Sequence, residues 1–359
     1  MFSINPISHG GNIYYFGRLL GVSPFQIRDL SSSVNPLVSY YLKEKAFDLC
    51  RYLEYYPEPH SEELREILSV KLNVPKDYIL IGHGSIELIS LFLKRLLPKG
   101  GKALLLEPTF IAYGSTLNQV PHVEKNSFFS LNQQDWKRKI EDFLNKNKRQ
   151  KPIVIICNPN NPTGWVLPKE WLREVISNYR EALFLIDEAF IDFCEEESLL
   201  FAVQESANLV VFRSLTKFYG LAGLRVGYMV AQSPYIEVLA KELSLWNVDT
   251  LTQIIAKVLL LDKEFERRSK EFFLQEKVKF ERTFKEEGIV FYPSRANFYL
   301  FFLPKGREFW NWLLREKRIL IRNCENFCGL SSDYLRVSVK DTTTNDLFLE
   351  ALKEWLRLW

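Results

Sequence analysis

Lys217 lies in Ser214-Leu215-Thr216-Lys217-Phe218-Tyr219, just after the apolar run 209–212. A lysine at a strand end, among small hydroxyls and aromatic rings, is poorly solvated. Its ammonium form is then disfavoured, and the free amine can attack a carbonyl. Ser214 and Thr216 add hydroxyls and Arg225 adds a guanidinium, a donor set suited to a phosphate. Alone, Lys217 would read as an ordinary surface lysine. Asp187 changes that reading, because it follows the apolar run 183–186. A carboxylate at a buried strand end needs a cation, and a protonated ring nitrogen would supply one. Gly84-Ser85 after 79–81, and Asn161 shortly after 153–157, fall at the same kind of position.

Several strand ends delivering such residues to one edge require a particular sheet. The runs 79–81, 103–106, 153–157, 183–186, 209–212 and 226–230 are apolar without polar alternation. Helical spacing lies between several of them, as in 85–93 and in Trp171, Leu172, Val175 and Ile176. This predicts a mostly parallel sheet covered on both faces, with ligands beyond the strand carboxyl ends. The C-terminal part differs. Residues 250 to 287 read as long, charged helix with a break near Asp262. Shorter strand candidates follow at 289–292, 298–302, 319–322 and 334–339, with helical patterns at 308–315 and 346–358. The organisation expected is an N-terminal arm (1–45) packing on a small α+β C-terminal domain (251–359), with a large ligand-binding domain (46–250) between them.

Taken in order, these segments resemble a known family. Asn161-Pro162-Thr163-Gly164, Asp187-Glu188-Ala189, Ser214-x-x-Lys217, Gly223-Leu224-Arg225 and Leu335-Arg336-Val337 match fold-type I enzymes dependent on pyridoxal 5'-phosphate (PLP). The match is to the histidinol-phosphate aminotransferase branch and spans nearly the whole chain. It implies the aspartate-aminotransferase type of α/β fold: a large domain with a mostly parallel mixed sheet, and a smaller α+β domain. It also implies roles. Lys217 would hold PLP covalently and then shuttle protons. Asp187 would pair with the pyridine nitrogen, Asn161 would bond the phenolic oxygen, and Phe110 would stack on the ring. Gly84, Ser85 and Ile86, at a helix start that favours anions, would cradle the phosphate with Ser214, Thr216 and Arg225. Arg336 would clamp the substrate carboxylate, with Asn161 beside it. Tyr56 would reach the phosphate bound by a partner subunit, which implies a homodimer with shared active sites.

Three further features resemble the threonine-phosphate decarboxylases, which make aminopropanol phosphate for cobamide (vitamin B12) synthesis. They are His9-Gly10-Gly11-Asn12 with Asp29-Leu30-Ser31-Ser32-Ser33-Val34-Asn35-Pro36-Leu37, Phe190 after Asp187-Glu188-Ala189, and Leu320-Ile321-Arg322-Asn323-Cys324. Phe190 stands where aminotransferases usually carry tyrosine. The resemblance implies that His9, Arg322 and Asn323 bind the phosphate of a small phosphorylated amino acid. Ser32-Ser33-Val34 and His83 depart from the usual pattern, but neither removes a residue that PLP chemistry requires. Decarboxylation and transamination both remain open. They differ in which bond at the α-carbon is held perpendicular to the ring. A catalytically dead binding protein is disfavoured, because Lys217, Asp187, Asn161 and Arg336 are all present.

Composition excludes other classes. The chain has 359 residues, 47% hydrophobic and 25% charged, near globular averages, so collagen-like, disordered and disulfide-scaffold classes fall away. A net charge of +3 is too small for a nucleic-acid-binding surface. No apolar run approaches the ~18 residues needed to span a bilayer, and Met1-Phe2-Ser3-Ile4-Asn5-Pro6 does not read as a signal peptide. Five cysteines, an odd number, fit a reduced, cytoplasmic protein. The four histidines are scattered, and Cys324 and Cys328 lack a matching pair, so no metal is expected. No G-x-G-x-x-G joins a strand to a helix, which argues against a nicotinamide enzyme.

Overall fold

A computed structural model describes residues 9–45 and 50–358, so the first eight residues of the expected arm lie outside the described residues. The large sheet contains β1 (Ile79–Gly82), β2 (Gly101–Glu107), β3 (Val123–Phe129), β4 (Pro152–Cys157), β5 (Leu183–Asp187), β6 (Leu209–Ser214) and β7 (Gly227–Val230). Their order is β1-β7-β6-β5-β4-β2-β3. Only β7 runs against its neighbours, pairing antiparallel with both β1 and β6. The apolar runs make this sheet because each strand buries both faces. Leu104, Val154, Ile156, Phe184, Ile186 and Val211 enter one core cluster. The alternate residues Leu105, Ile155, Leu185, Val210 and Phe212 enter another. Side chains alternate along a strand, so successive residues fill opposite layers.

β3 was not expected from the sequence. It lies at the sheet edge, and most of its side chains are exposed or half-buried. An edge strand need not be continuously apolar, so Val123-Glu124-Lys125-Asn126 carries no such signal.

The smaller sheet contains β8 (Val290–Phe291), β9 (Phe298–Phe302), β10 (Arg322–Asn323) and β11 (Tyr334–Ser338), ordered β10-β11-β9-β8. The run 319–322, expected as one strand, is divided. Ile319–Leu320 pairs instead with Arg28–Asp29 of the N-terminal segment. The helix Lys263–Glu286 begins after its cap, Asp262, whose carboxylate accepts the amides of Glu264 and Phe265. It connects the two cores: Phe265 packs with the large sheet, and Phe273, Phe280 and Phe284 pack with the small one.

The N-terminal segment also serves both. Phe16, Ile27 and Leu30 join the small core, while Val38 joins the large one. Leu30 donates its amide to Leu320 and accepts from Ser338, and Asn35 donates its amide to the carbonyl of Lys217. The segment 28–36 therefore crosses from one sheet to the loop that follows β6 of the other.

Candidate active site

β4, β5 and β6 end at Cys157, Asp187 and Ser214, on the same edge of the sheet. Cys157 is in register with Asp187, and Asp187 with Phe212. Beyond this edge lies a cavity of about 290 Å³. The strand ends are tied beneath it by buried charge. Arg213 Nε donates to Glu188 at 2.8 Å, and Arg213 Nη2 donates to Ser198 at 2.7 Å. Glu188 follows Asp187 and Arg213 precedes Ser214, so the pair fixes both neighbours.

Lys217 lines the cavity, its Nζ 5.8 Å from the centre of the Phe190 ring. Burial depresses its pKa to about 8, helped by Arg336, Arg225 and Lys340 and partly opposed by Asp187. Asp187 is 5% exposed. Its Oδ2 accepts the Tyr113 hydroxyl at 2.5 Å and its Oδ1 accepts the Ala189 amide at 3.0 Å. Burial raises its pKa to about 6, against the lowering pull of those two donors and of Lys217.

A second wall is built for an anion. The helix Ser85–Arg95 starts here, so its first amides have no partner within the helix. Gly84 precedes it with φ 82°, and a Cβ at that position would lie 2.8 Å from Arg225 Nη2. A Cβ on Gly227 would lie 2.4 Å from the Ser85 nitrogen. Both positions must stay bare for Arg225 and the Ser85 amide to reach the same spot. The Ser214 and Thr216 hydroxyls, 2.7 Å apart, face it.

The mouth belongs to other elements. Arg322 on β10 and Arg336 on β11 are direct cross-strand partners, and both line the cavity. They are 4% and 6% exposed. Like charges placed opposite each other repel, and burial lowers both pKa values, that of Arg336 to about 10. Arg336 Nη1 donates to Asn161 Oδ1 and Nη2 to the Ser31 carbonyl at 2.7 Å, while its buried Nε has no partner. With its oxygen committed to Arg336, Asn161 presents its amide nitrogen as the donor toward a ligand. Arg322 donates to Asn326 at 2.6 Å and lies over the Phe327 ring. His9 lines the same cavity, its ring centre 6.1 Å from that of Phe110. Burial lowers the His9 pKa, and Arg322 and Lys217 lower it further, so its imidazole is neutral at pH 7.

The cavity thus gathers His9, Ser85, Ile86, Phe110, Asn161, Asp187, Ser214, Thr216, Lys217, Arg225, Arg322 and Arg336, with Gly84 against Arg225. Two expected residues are elsewhere. Asn323 follows Arg322 on β10 and borders a smaller hollow beside the cavity, together with His9, Ser31 and Arg322. There it accepts the Glu325 amide and donates weakly to the Ser332 carbonyl, shaping a loop. Tyr56 is 77% exposed outside the cavity and stacks on Trp246 at 4.4 Å. The sequence reading missed Tyr113 and Cys157. Tyr113 lies one helical turn beyond Phe110, and Cys157 ends the strand beside that of Asp187. The strand-end rule could have found the second. Only the fold brings the first to Asp187.

Comparison with known proteins agrees with this geometry. The profile of the aminotransferase class I and II family matches residues 27–352. The chain belongs to that family. It is a PLP-dependent enzyme of the aspartate-aminotransferase fold. It is 31% identical to threonine-phosphate decarboxylase of Salmonella typhimurium over 356 residues, covering 97% of this chain and 96% of the relative. It is also 31% identical to histidinol-phosphate aminotransferase of Methanocaldococcus jannaschii over 358 residues, covering 98% and 95%. The crystal structure of histidinol-phosphate aminotransferase from Clostridium acetobutylicum superposes with a TM-score of 0.82 at 27% identity, covering 93% of this chain and all of that one. Among the described residues, no helix is long and apolar enough to cross a membrane.

Proposed function

We propose that this chain decarboxylates L-threonine O-3-phosphate to (R)-1-amino-2-propanol O-phosphate, a step of cobamide biosynthesis. The carrying observation is the buried pair Arg322 and Arg336, opposed across two strands at one cavity wall. Two desolvated cations side by side call for two anions. L-Threonine O-phosphate bears a carboxylate and a phosphate on one small molecule. The Salmonella relative carries that activity in its name.

The residues fit the cofactor. The bare positions Gly84 and Gly227, with Arg225, Ser85, Ser214 and Thr216, form a cradle of donors suited to a phosphate. Asp187 offers a buried carboxylate to a ring nitrogen, Asn161 a donor to a phenolic oxygen, and Phe110 a face for stacking. When bound, PLP supplies an electron-poor ring that accepts charge from the substrate α-carbon. The chain does the rest. Lys217, with its depressed pKa, is the amine that attaches the cofactor and afterwards holds or moves a proton at its Nζ. Arg336 grips the carboxylate and Arg322 the phosphate, so their separation sets which α-carbon bond stands perpendicular to the ring. His9 donates a hydrogen bond from a neutral ring. Phe190, beside Lys217, brings no hydroxyl to compete for protons.

The active unit in this reading is a homodimer. Tyr55, Tyr56 and Leu53 are each at least 69% exposed, beside half-exposed Trp246. An apolar patch of this kind suits a second copy of the chain, and Tyr56 would then serve the partner's phosphate cradle.

A second reading, transamination of histidinol phosphate, is favoured by the equal identity to the Methanocaldococcus enzyme. Histidinol phosphate carries no carboxylate, so Arg336 would then hold the carboxylate of the keto acid that accepts its amino group. The test is carbon dioxide release from L-threonine O-phosphate without a keto acid. Release supports the decarboxylase. Its absence, together with keto-acid-dependent transfer from histidinol phosphate, replaces it with the aminotransferase.

A further inference from the structure

Tyr113 is 1% exposed, and its hydroxyl lies 2.5 Å from Asp187 Oδ2. It is held from two directions. It is the second residue of the short helix Ala112–Leu117, and its ring packs edge-on against Phe110 at 5.5 Å. Phe110 and Tyr113 therefore form one unit, in which the first offers a ring face to the cavity and the second a hydroxyl to the carboxylate.

The groups facing Asp187 come from four places. Tyr113 comes from that helix, Cys157 from the end of β4, Lys217 from the loop after β6, and Glu188 from the residue just after β5. The Ala189 amide takes the other carboxylate oxygen. Cys157 is fully buried, and burial beside Asp187 pushes its thiol up, so it is neutral. Tyr113 is pushed up well above the ordinary tyrosine range in the same way, chiefly by burial and then by Asp187, so it keeps its proton at neutral pH. It is thus a permanent donor, within hydrogen-bonding distance of a carboxylate that burial alone would tend to protonate.

We propose that Tyr113 is a positioning residue for the cofactor's ring nitrogen: its hydroxyl keeps Asp187 ionised and fixes the plane of the carboxylate. The proposal rests on the assignment of Asp187 to that nitrogen. Two physical consequences follow. A hydrogen bond to a charged acceptor favours the charged form, so its loss raises the pH at which Asp187 gains a proton. The fixed plane leaves one oxygen edge toward the cavity, without a rotamer search when the cofactor arrives.

The test is binding of pyridoxamine 5'-phosphate to apoprotein, followed by fluorescence from pH 5.5 to 8.5. This probe cannot bond covalently to Lys217, so it reports the ring-nitrogen contact without that linkage. Wild type, Tyr113→Phe and Asp187→Asn are compared. The expected result is that Tyr113→Phe binds about tenfold more weakly than wild type near pH 6. It should approach wild type by pH 8.5, its midpoint displaced upward. Asp187→Asn should be weak throughout, with a flattened pH profile. A Tyr113→Phe profile parallel to wild type, whatever its melting temperature, overturns the role of Tyr113 and leaves that of Asp187 standing. An Asp187→Asn profile like wild type overturns both.

Discussion

Cys157, Asp187 and Ser214 end adjacent strands of one sheet, locked in register and braced by the Arg213–Glu188 pair. His9, Ser31, Arg322 and Arg336 reach the same cavity from the N-terminal segment and the small sheet. The floor is therefore positioned by the hydrogen-bonded ladder of a buried sheet. The mouth depends on how two sheets and a crossing segment are held together. In the proposed reading the floor supplies the cofactor chemistry common to both reactions, and the mouth selects the substrate and the α-carbon bond that breaks. Damage to the first should abolish turnover, and damage to the second should shift affinity.

The largest expected effect is at Lys217. Lys217→Ala should lose roughly 10⁴-fold or more in turnover, and borohydride should trap PLP on Lys217 of the native protein, as read by peptide mass mapping. The rate of PLP attachment to apoprotein should rise with pH and level off above about 8, because the neutral amine reacts and the Lys217 pKa is depressed to about 8. A rise continuing to pH 10 would indicate an ordinary solvated lysine.

Asp187→Asn comes next, at roughly 10²–10³-fold in kcat. It should also stabilise the apoprotein at pH 7. The Asp187 pKa is raised to about 6 in the folded state, so the folded form binds more protons than the unfolded one between the ordinary 3.8 and about 6. Stability falls as pH rises through that window, and the cost persists above it. Removing the charge should recover on the order of 1–3 kcal/mol by chemical denaturation at pH 7. At pH 4 the gain should shrink. A floor that becomes more stable as it becomes inactive is what a site built for charge should give.

Arg322→Ala tests the mouth. KM for L-threonine O-phosphate should rise roughly 100-fold, for loss of a charge-assisted contact, with a far smaller change for unphosphorylated threonine. A fall in kcat with KM unchanged would place Arg322 with the floor. Tyr56→Phe should have the smallest effect, about tenfold in cofactor affinity. In mixtures of Tyr56→Phe with Lys217→Ala chains, sites with both native residues should restore activity. Fully active monomers on light scattering would break the shared-site reading.

The same division explains what could be read in the sequence. Six of the large-sheet strands were legible because burial on both faces leaves apolar runs, and the residues ending them named the floor. The edge strand β3 was not, because solvent relaxes the demand for apolar residues. At the mouth, Arg322 could be picked out, and Asn323, assigned with it, borders the smaller hollow beside the cavity rather than the cavity itself. The facing of Arg322 and Arg336 is a matter of register between segments brought together by the fold. Tyr113 was silent for a similar reason: its partner lies 74 positions away.

The crossing segment 28–36 has a consequence for the order in which the site is completed. Asn35 caps the backbone of Lys217 and Phe218, and Leu30 pairs with Leu320 and Ser338. On the ribosome, Asn35 emerges well before Lys217, and Leu30 long before Ser338. Contacts so distant along the chain close late. The reactive amine is therefore framed only once the chain has been made through Ser338, and a chain that stops before Arg322 lacks both the frame and the arginines that would admit a substrate to it.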